Sequence, residues 1–94
     1  MLGERLAELR KDKGLKQEDI GKILKISRST YGNYESGYAE PSVSILIDLA
    51  KFYDVSLDYI CCNTDIRYNF YKDKRLCAYI NKCVEVYKEF LKKD

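Results

Sequence analysis

Apolar side chains recur along this chain at spacings of three and four, the period of an α-helix, and no stretch alternates polar and apolar long enough to suggest a strand. Leu2, Leu6 and Leu9 mark one face of a first helix that ends near Gly14. Ile20, Ile23 and Leu24 mark a short second helix starting near Gln17, with Glu18 and Asp19 in its first turn, where carboxylates complement the positive end of the helix dipole. Ser27 suits the N-cap of a third helix running to about Ser36, with Gly37 as its stop. Pro41 and Ser42 open a fourth, whose buried stripe is Leu46, Leu49, Ala50 and Tyr53. Ser56 caps a short fifth helix carrying Leu57 and Ile60. A polar stretch, residues 63–73, breaks the pattern, and its aromatic Tyr68, Phe70 and Tyr71 predict that it packs rather than floats. A long helix over about residues 74–92 ends the chain. The pattern predicts an all-α fold: five helices in a compact unit over residues 1–62, then a connecting segment and a long C-terminal helix over residues 63–94.

With 94 residues, one modest core is all the chain can bury. The formal net charge is +2 and is unevenly spread: residues 1–64 are net −1 and residues 65–94 net +3. Any surface for a polyanion must therefore come from local arrangement and not from bulk basicity. Histidine is absent, which removes the commonest general base and metal ligand. No paired-carboxylate motif or phosphate-binding loop is present, so neither a catalytic residue nor a cofactor is expected. Cys61, Cys62, Cys77 and Cys83 lack the spacing of a zinc or redox motif and are expected to be small buried apolar groups. The opening MLGERLAELRKDKG does not read as a secretory leader, and no apolar run approaches the ~20 residues needed to span a bilayer. These features predict a cytoplasmic protein with reduced thiols and no membrane association.

The segment from Gln17 to Gly37, QEDIGKILKISRSTYGNYESG, is the most informative. It is two short helices joined by a brief connection, with a glycine, Gly21, inside the first. Glycine there costs about 1 kcal/mol relative to alanine, so it needs a packing reason: a close, steep helix crossing, the geometry of a helix-turn-helix. In the second of these helices Tyr31 and Tyr34 share the inward face. Arg28, Ser29, Gly32, Asn33 and Ser36 project outward, an unusual density of small hydrogen-bonding groups. Arginine bonds guanine in bidentate fashion and asparagine bonds adenine. Gly32 would allow close approach of the backbone to a ligand.

The segment resembles the helix-turn-helix of the phage-repressor family (Cro and lambda-type repressors, or XRE). The likeness extends to LAELR in the first helix, Tyr34-Glu35 before Ser36-Gly37, Pro41-Ser42, and Val55-Ser56-Leu57, and it covers roughly residues 2–62. The resemblance implies a five-helix lambda-repressor-like domain that binds double-stranded DNA and regulates transcription. It implies that Arg28, Ser29 and Asn33, assisted by Thr30, face base edges, and that Gln17 and Ser36 bond phosphates. Arg10 and Glu35 match a pair that bridges the first and third helices in some members. Three positions depart from the family pattern. Lys16 replaces the usual Ser or Thr cap, sits at the wrong end of the dipole, and is expected to contact a phosphate. Lys25 replaces the usual turn glycine and would be strained if the turn needs a positive φ. Tyr38-Ala39-Glu40 replaces a loop that often carries basic residues; Tyr38 can still donate to a phosphate, whereas Glu40 must point away.

In the last helix Leu76, Ile80, Cys83, Tyr87 and Phe90 are spaced four, three, four, three, a heptad seam. Cys77, Val84 and Leu91 flank it on one side, Tyr79 and Val86 on the other. This face covers either the chain's own domain or the same helix of a second subunit. The second alternative gives a homodimer whose two recognition helices read a palindromic operator about 34 Å apart. Two functional readings remain: a dimeric DNA-binding repressor, and an antitoxin-like interaction module whose last helix binds a partner protein.

Overall fold

The computed structural model describes residues 1–69 and 72–91; Phe70, Tyr71 and the last three residues, including the expected end of the final helix at Lys92, lie outside the described residues. Five helices build the domain: α1 (Leu2–Asp12), α2 (Gln17–Leu24), α3 (Arg28–Ser36), α4 (Val43–Tyr53) and α5 (Leu57–Ile60). A sixth, α6 (Lys74–Val86), runs on into a π-helical turn (Tyr87–Leu91). No strand occurs among the described residues.

Helix starts follow side-chain chemistry. Ser27, Ser42, Ser56 and Asp73 cap α3, α4, α5 and α6, each accepting the backbone N–H three residues on. Pro41 is buried one position ahead of the Ser42 cap, so α4 begins slightly later than expected. Lys16, the N-cap of α2, has no side-chain acceptor to offer. Asp19 supplies the cap from inside the helix: its carboxylate accepts the Lys16 N–H at 2.8 Å.

The core is Leu6 and Leu9 of α1, Ile20 of α2, Tyr31 of α3, Leu49, Ala50 and Tyr53 of α4, then Val55, Tyr59 and Ile60. Two apolar residues of the short helices lie outside this core. Ile23 is 45% exposed, because the short α2 presents only its Ile20–Leu24 edge inward. Leu57 is 38% exposed, and Tyr59 takes the buried place in α5, where its ring lies beneath Arg5, 4.1 Å from the guanidinium carbon. The cysteines depart from expectation. None is buried: Cys61 and Cys83 are exposed, Cys62 and Cys77 half-buried, and none of the four forms a disulfide.

Two close approaches depend on glycine. A Cβ on Gly21 would lie 2.9 Å from the Ile26 carbonyl oxygen, so α2 rests directly on the turn that leads to α3. A Cβ on Gly3 would lie 2.1 Å from the Glu35 carbonyl oxygen, which seats the last turn of α3 against the first turn of α1. Lys25, at the C-cap of α2, has φ 59° and ψ 41°, the left-handed conformation that glycine adopts without a Cβ penalty.

The segment after α5 is tied to the domain by charge. Arg5 donates to the Tyr59 and Thr64 carbonyls at 2.7 and 2.8 Å and pairs with Asp65 at 3.0 Å. Arg67 pairs with Asp12 at 2.8 Å, and Lys72 with Asp54. Of the three aromatics expected to pack there, Phe70 and Tyr71 lie outside the described residues, and Tyr68 is about half exposed. Helix α6 continues from this segment and makes at most slight contact with α1–α5.

Two stability measurements check this account. Gly3→Ala is expected to lower unfolding free energy by about 2 kcal/mol through overpacking against rigid backbone. Lys25→Gly is expected to raise it by about 0.5–1 kcal/mol by relieving the left-handed lysine. Urea titrations of both variants give the comparison.

Candidate nucleic-acid interface

Helices α2 and α3 meet across the turn around Lys25 and Ile26, and α3 lies with one face in the domain and the other in solvent. Its inward face is Tyr31, fully buried, and Tyr34, half-buried, with the two rings edge-to-face at 6.4 Å. Its outward face carries Arg28, Ser29, Thr30, Asn33 and Ser36, all exposed. The side chains of Arg28, Ser29 and Asn33 make no hydrogen bond to other described residues, which leaves their donors and acceptors open to a ligand. Thr30 and Ser36 are partly committed. The Thr30 hydroxyl lies 2.8 Å from the Ser27 hydroxyl, and Ser36 donates to the Asn33 carbonyl at 3.2 Å. Each hydroxyl still has acceptor capacity.

Behind this face lies a polar cluster. Arg10 of α1 donates from Nε to Glu35 Oε2 at 2.7 Å and from Nη2 to Oε1 at 3.0 Å, a bidentate pair. Its third nitrogen donates to the Leu15 carbonyl at 2.9 Å. Gln17, at the start of α2, donates to Glu35 Oε1 at 3.2 Å. The Arg10–Glu35 pair thus ties α3 to α1, the α1–α2 loop and α2. The Arg10 and Glu35 side chains are only 13% and 7% exposed. Burial alone would push the Glu35 carboxyl up; Arg10, Gln17 and the nearby Tyr31 hydroxyl outweigh it and hold the carboxyl below its ordinary range. Burial pushes the Tyr53 phenol up to about 12 and Tyr31 higher still, so both stay neutral. Neither hydroxyl finds a hydrogen bond of good geometry among the described residues.

A Cβ on Gly32 would lie 3.1 Å from Gln17 Oε1, so the missing side chain leaves room for the Gln17 amide. In front of the cluster, Arg10, Lys16, Gln17, Glu18 and Arg28 line an open polar cleft of about 510 Å³ at the start of α2. Lys16 is exposed at its rim and Gln17 half-buried in its wall. Tyr38, just beyond the C-cap of α3 at Gly37, is 87% exposed. Three of the expected phosphate and base positions, Lys16, Gln17 and Arg28, are therefore brought together around one cleft, beside the bridging Arg10. The five seam positions of α6 are divided: Leu76 and Ile80 are half-buried, Cys83, Tyr87 and Phe90 exposed.

Two contributors escaped sequence reasoning. Arg5 carried no local signal, because its partners lie 54 to 60 positions away. Gly3 did carry one: like Gly21, it is a glycine inside a helix, and the same question about close packing applied to it.

This arrangement defines a helix-turn-helix domain, with an exposed polar helix held rigidly by its neighbours. A helix-turn-helix family model matches residues 6–60, and the chain belongs to that family, of XRE type. The HTH-type regulator YobD of Bacillus subtilis, itself uncharacterized, is 42% identical over 65 residues, 69% of this chain and 58% of YobD. The chain spans between half and two thirds of the length of YobD and of two further Bacillus subtilis regulators that it matches. The P22 c2 repressor, crystallised in complex with a synthetic operator, superposes with a TM-score of 0.60 at 30% identity, over 64% of this chain and 91% of that one. A transcriptional regulator from Listeria innocua shares the fold over 98% of this chain and 97% of its own, with a TM-score of 0.65 at 24% identity. Among the described residues no helix is long and apolar enough to cross a membrane, and no cluster of side chains could hold a metal ion.

The Glu35 carboxylate makes stability pH-dependent with a definite sign. A carboxyl held low in the folded state contributes stability in full above its unfolded value, about 4.3, and loses it as pH falls through the lower folded value. Unfolding free energy is expected to drop below about pH 4, and Glu35→Gln to flatten that limb. Arg10→Ala, which strands a nearly buried carboxylate, is expected to cost about 3 kcal/mol at neutral pH. Denaturant titrations across pH read both.

Proposed function

We propose that this protein is a sequence-specific DNA-binding transcriptional regulator, a repressor that occupies a palindromic operator as a dimer and reads bases through α3. The observation that carries the reading is the outward face of α3. Arg28, Ser29 and Asn33 are exposed and uncommitted, on a helix fixed from behind by the Arg10–Glu35 pair. Rigid placement of a few hydrogen-bonding groups is what direct readout in the major groove requires. In this reading Arg28, Ser29 and Asn33 contact base edges, and Thr30 supports them. Lys16, Gln17, Ser36 and Tyr38 contact phosphates. A phosphate in the cleft at the start of α2 would sit against a helix N-terminus with Lys16 and Arg28 beside it. That anion would also relieve the conflict between the Lys16 charge and the helix dipole. The reading includes a cytoplasmic location and two functional units: residues 1–62 bind DNA, and residues 63–94 join two copies. The P22 c2 repressor, with its operator complex, supports the DNA partner.

The bare apolar surface of α6 supports one other reading: an antitoxin-like module whose last helix binds a different protein. DNA selection separates the two. Purified protein offered a random duplex library is expected to enrich a palindrome, with affinity falling steeply as salt rises. Arg28→Ala and Asn33→Ala are each expected to cost about 1–3 kcal/mol on the selected site and relax preference at one base pair. Lys16→Ala is expected to weaken binding on all sequences alike and to reduce the salt slope by roughly one. A folded protein that enriches no sequence would refute the operator reading.

A further inference from the structure

The cluster around Glu35 has one acceptor site unfilled and two donors unused beside it. An ionised carboxylate offers about four lone-pair sites. Three are taken in Glu35: Arg10 Nη2 and the Gln17 amide donate to Oε1, and Arg10 Nε donates to Oε2. The fourth, on Oε2, is open. Tyr31 stands four residues before Glu35, one turn back along the same face of α3. It is fully buried, and its hydroxyl lies against the Glu35 carboxylate and against the hydroxyl of Tyr53 on α4. Tyr53 is 6% exposed, and neither phenol oxygen is open to bulk water. Both hydroxyls stop short of good bonding geometry. Nearly all buried polar groups in folded proteins are hydrogen-bonded, because an unpartnered one has lost the bonds that water gave it. Two such hydroxyls, next to each other and to a carboxylate with room for one more donor, have a common explanation.

We infer that the two phenols complete the cluster as a directed chain, with Tyr53 donating to the Tyr31 oxygen and Tyr31 donating to Glu35 Oε2, and that Tyr53 is thereby a positioning residue for the outward face of α3; its role in reading bases rests on the function proposed above. Chemistry fixes the direction of the chain. An ionised carboxylate only accepts, so Tyr31 must donate to it. The single Tyr31 hydrogen is then spent, and its oxygen accepts from Tyr53. Burial keeps both phenols protonated, so each retains the hydrogen that the chain needs. Arg10, the Leu15 carbonyl and Gln17 bind this cluster to α1, the α1–α2 loop and α2. Tyr53 adds α4, so that every side from which α3 is gripped carries a directional bond as well as apolar contact.

Tyr31→Phe and Tyr53→Phe each remove one oxygen and keep the ring. The Glu35 side-chain carboxyl, followed by NMR through acid pH in the full chain, reads the chain directly. Losing a donor to the charged form raises a carboxyl's pKa. The midpoint is expected to rise clearly in Tyr31→Phe, and by a smaller step in Tyr53→Phe, which acts at one remove. Each variant is also expected to lower the folded-to-unfolded ratio at neutral pH about fivefold. Replacing an idle hydroxyl would do the opposite, leaving the midpoint in place and the protein as stable or more stable; that result overturns the chain. On the DNA site selected by the unsubstituted protein, Tyr53→Phe is expected to bind about threefold more weakly and with relaxed base preference. The slope of affinity against salt should stay unchanged, because no phosphate contact is lost. A raised Glu35 midpoint with unaltered base preference would leave the chain standing and overturn the positioning role. If the unsubstituted protein selects no sequence, the operator reading fails and the positioning role with it, while the NMR titration still decides the chain.

Discussion

The bidentate pair between Arg10 and Glu35 is the interaction on which the rest of the domain depends. It is nearly buried, and it joins elements whose apolar contacts alone leave their relative tilt adjustable. Leu6, Leu9, Ile20 and Tyr31 supply the burial that holds α1, α2 and α3 together, but burial has no preferred direction. Charged hydrogen bonds do, because a guanidinium and a carboxylate must lie coplanar to form two at once. Gln17 adds a bond from α2 to the same carboxylate, and the Leu15 carbonyl draws the α1–α2 loop onto the same guanidinium. A polar cluster of this kind contributes little net stability against an apolar replacement, yet removing one member is costly. Its value here is orientation of the exposed helix.

Steric contact reinforces the electrostatics. Gly3 lets α1 meet the last turn of α3 at the residue whose side chain Arg10 grips, so Glu35 is held through both its carbonyl and its carboxylate. Gly21 does the same for the turn before α3, and Gly32 leaves room for the Gln17 amide. Helix α3 is therefore located at its start, middle and end by three contacts in which a missing Cβ is the deciding feature.

Much of this was legible in the chain itself. The helix boundaries followed from Ser27, Gly37, Ser42 and Ser56, whose capping chemistry is local. The all-helical class followed from spacing. The family's usual turn glycine marked Lys25 as strained if the turn needs a positive φ, and it has one. What was not legible depends on contacts distant in sequence or on which edge of a short helix faces inward. An eight-residue helix offers too little pattern to separate Ile23 from Ile20 and Leu24. A four-residue helix offers less still, so Leu57 and Tyr59 could not be ordered by burial. The cysteines were expected inside on the strength of residue type alone, and type is a weak guide where the chain lies outside the main core. For the candidate site, the pattern named candidate residues but carried no sign that Thr30, Ser36 and Gln17 are already committed to partners within the domain.

The connection between the domain and α6 has its own physical character. Three ion pairs, Arg5 with Asp65, Arg67 with Asp12 and Lys72 with Asp54, tie that segment to the domain. Attractions between solvent-exposed charges fade once the Debye length shrinks, to about 10 Å at 0.1 M and 3 Å at 1 M, whereas the core is indifferent to such screening. The chain thus has two mechanical regimes: a body whose shape is set by temperature and denaturant, and an arm whose set is adjusted by ionic strength.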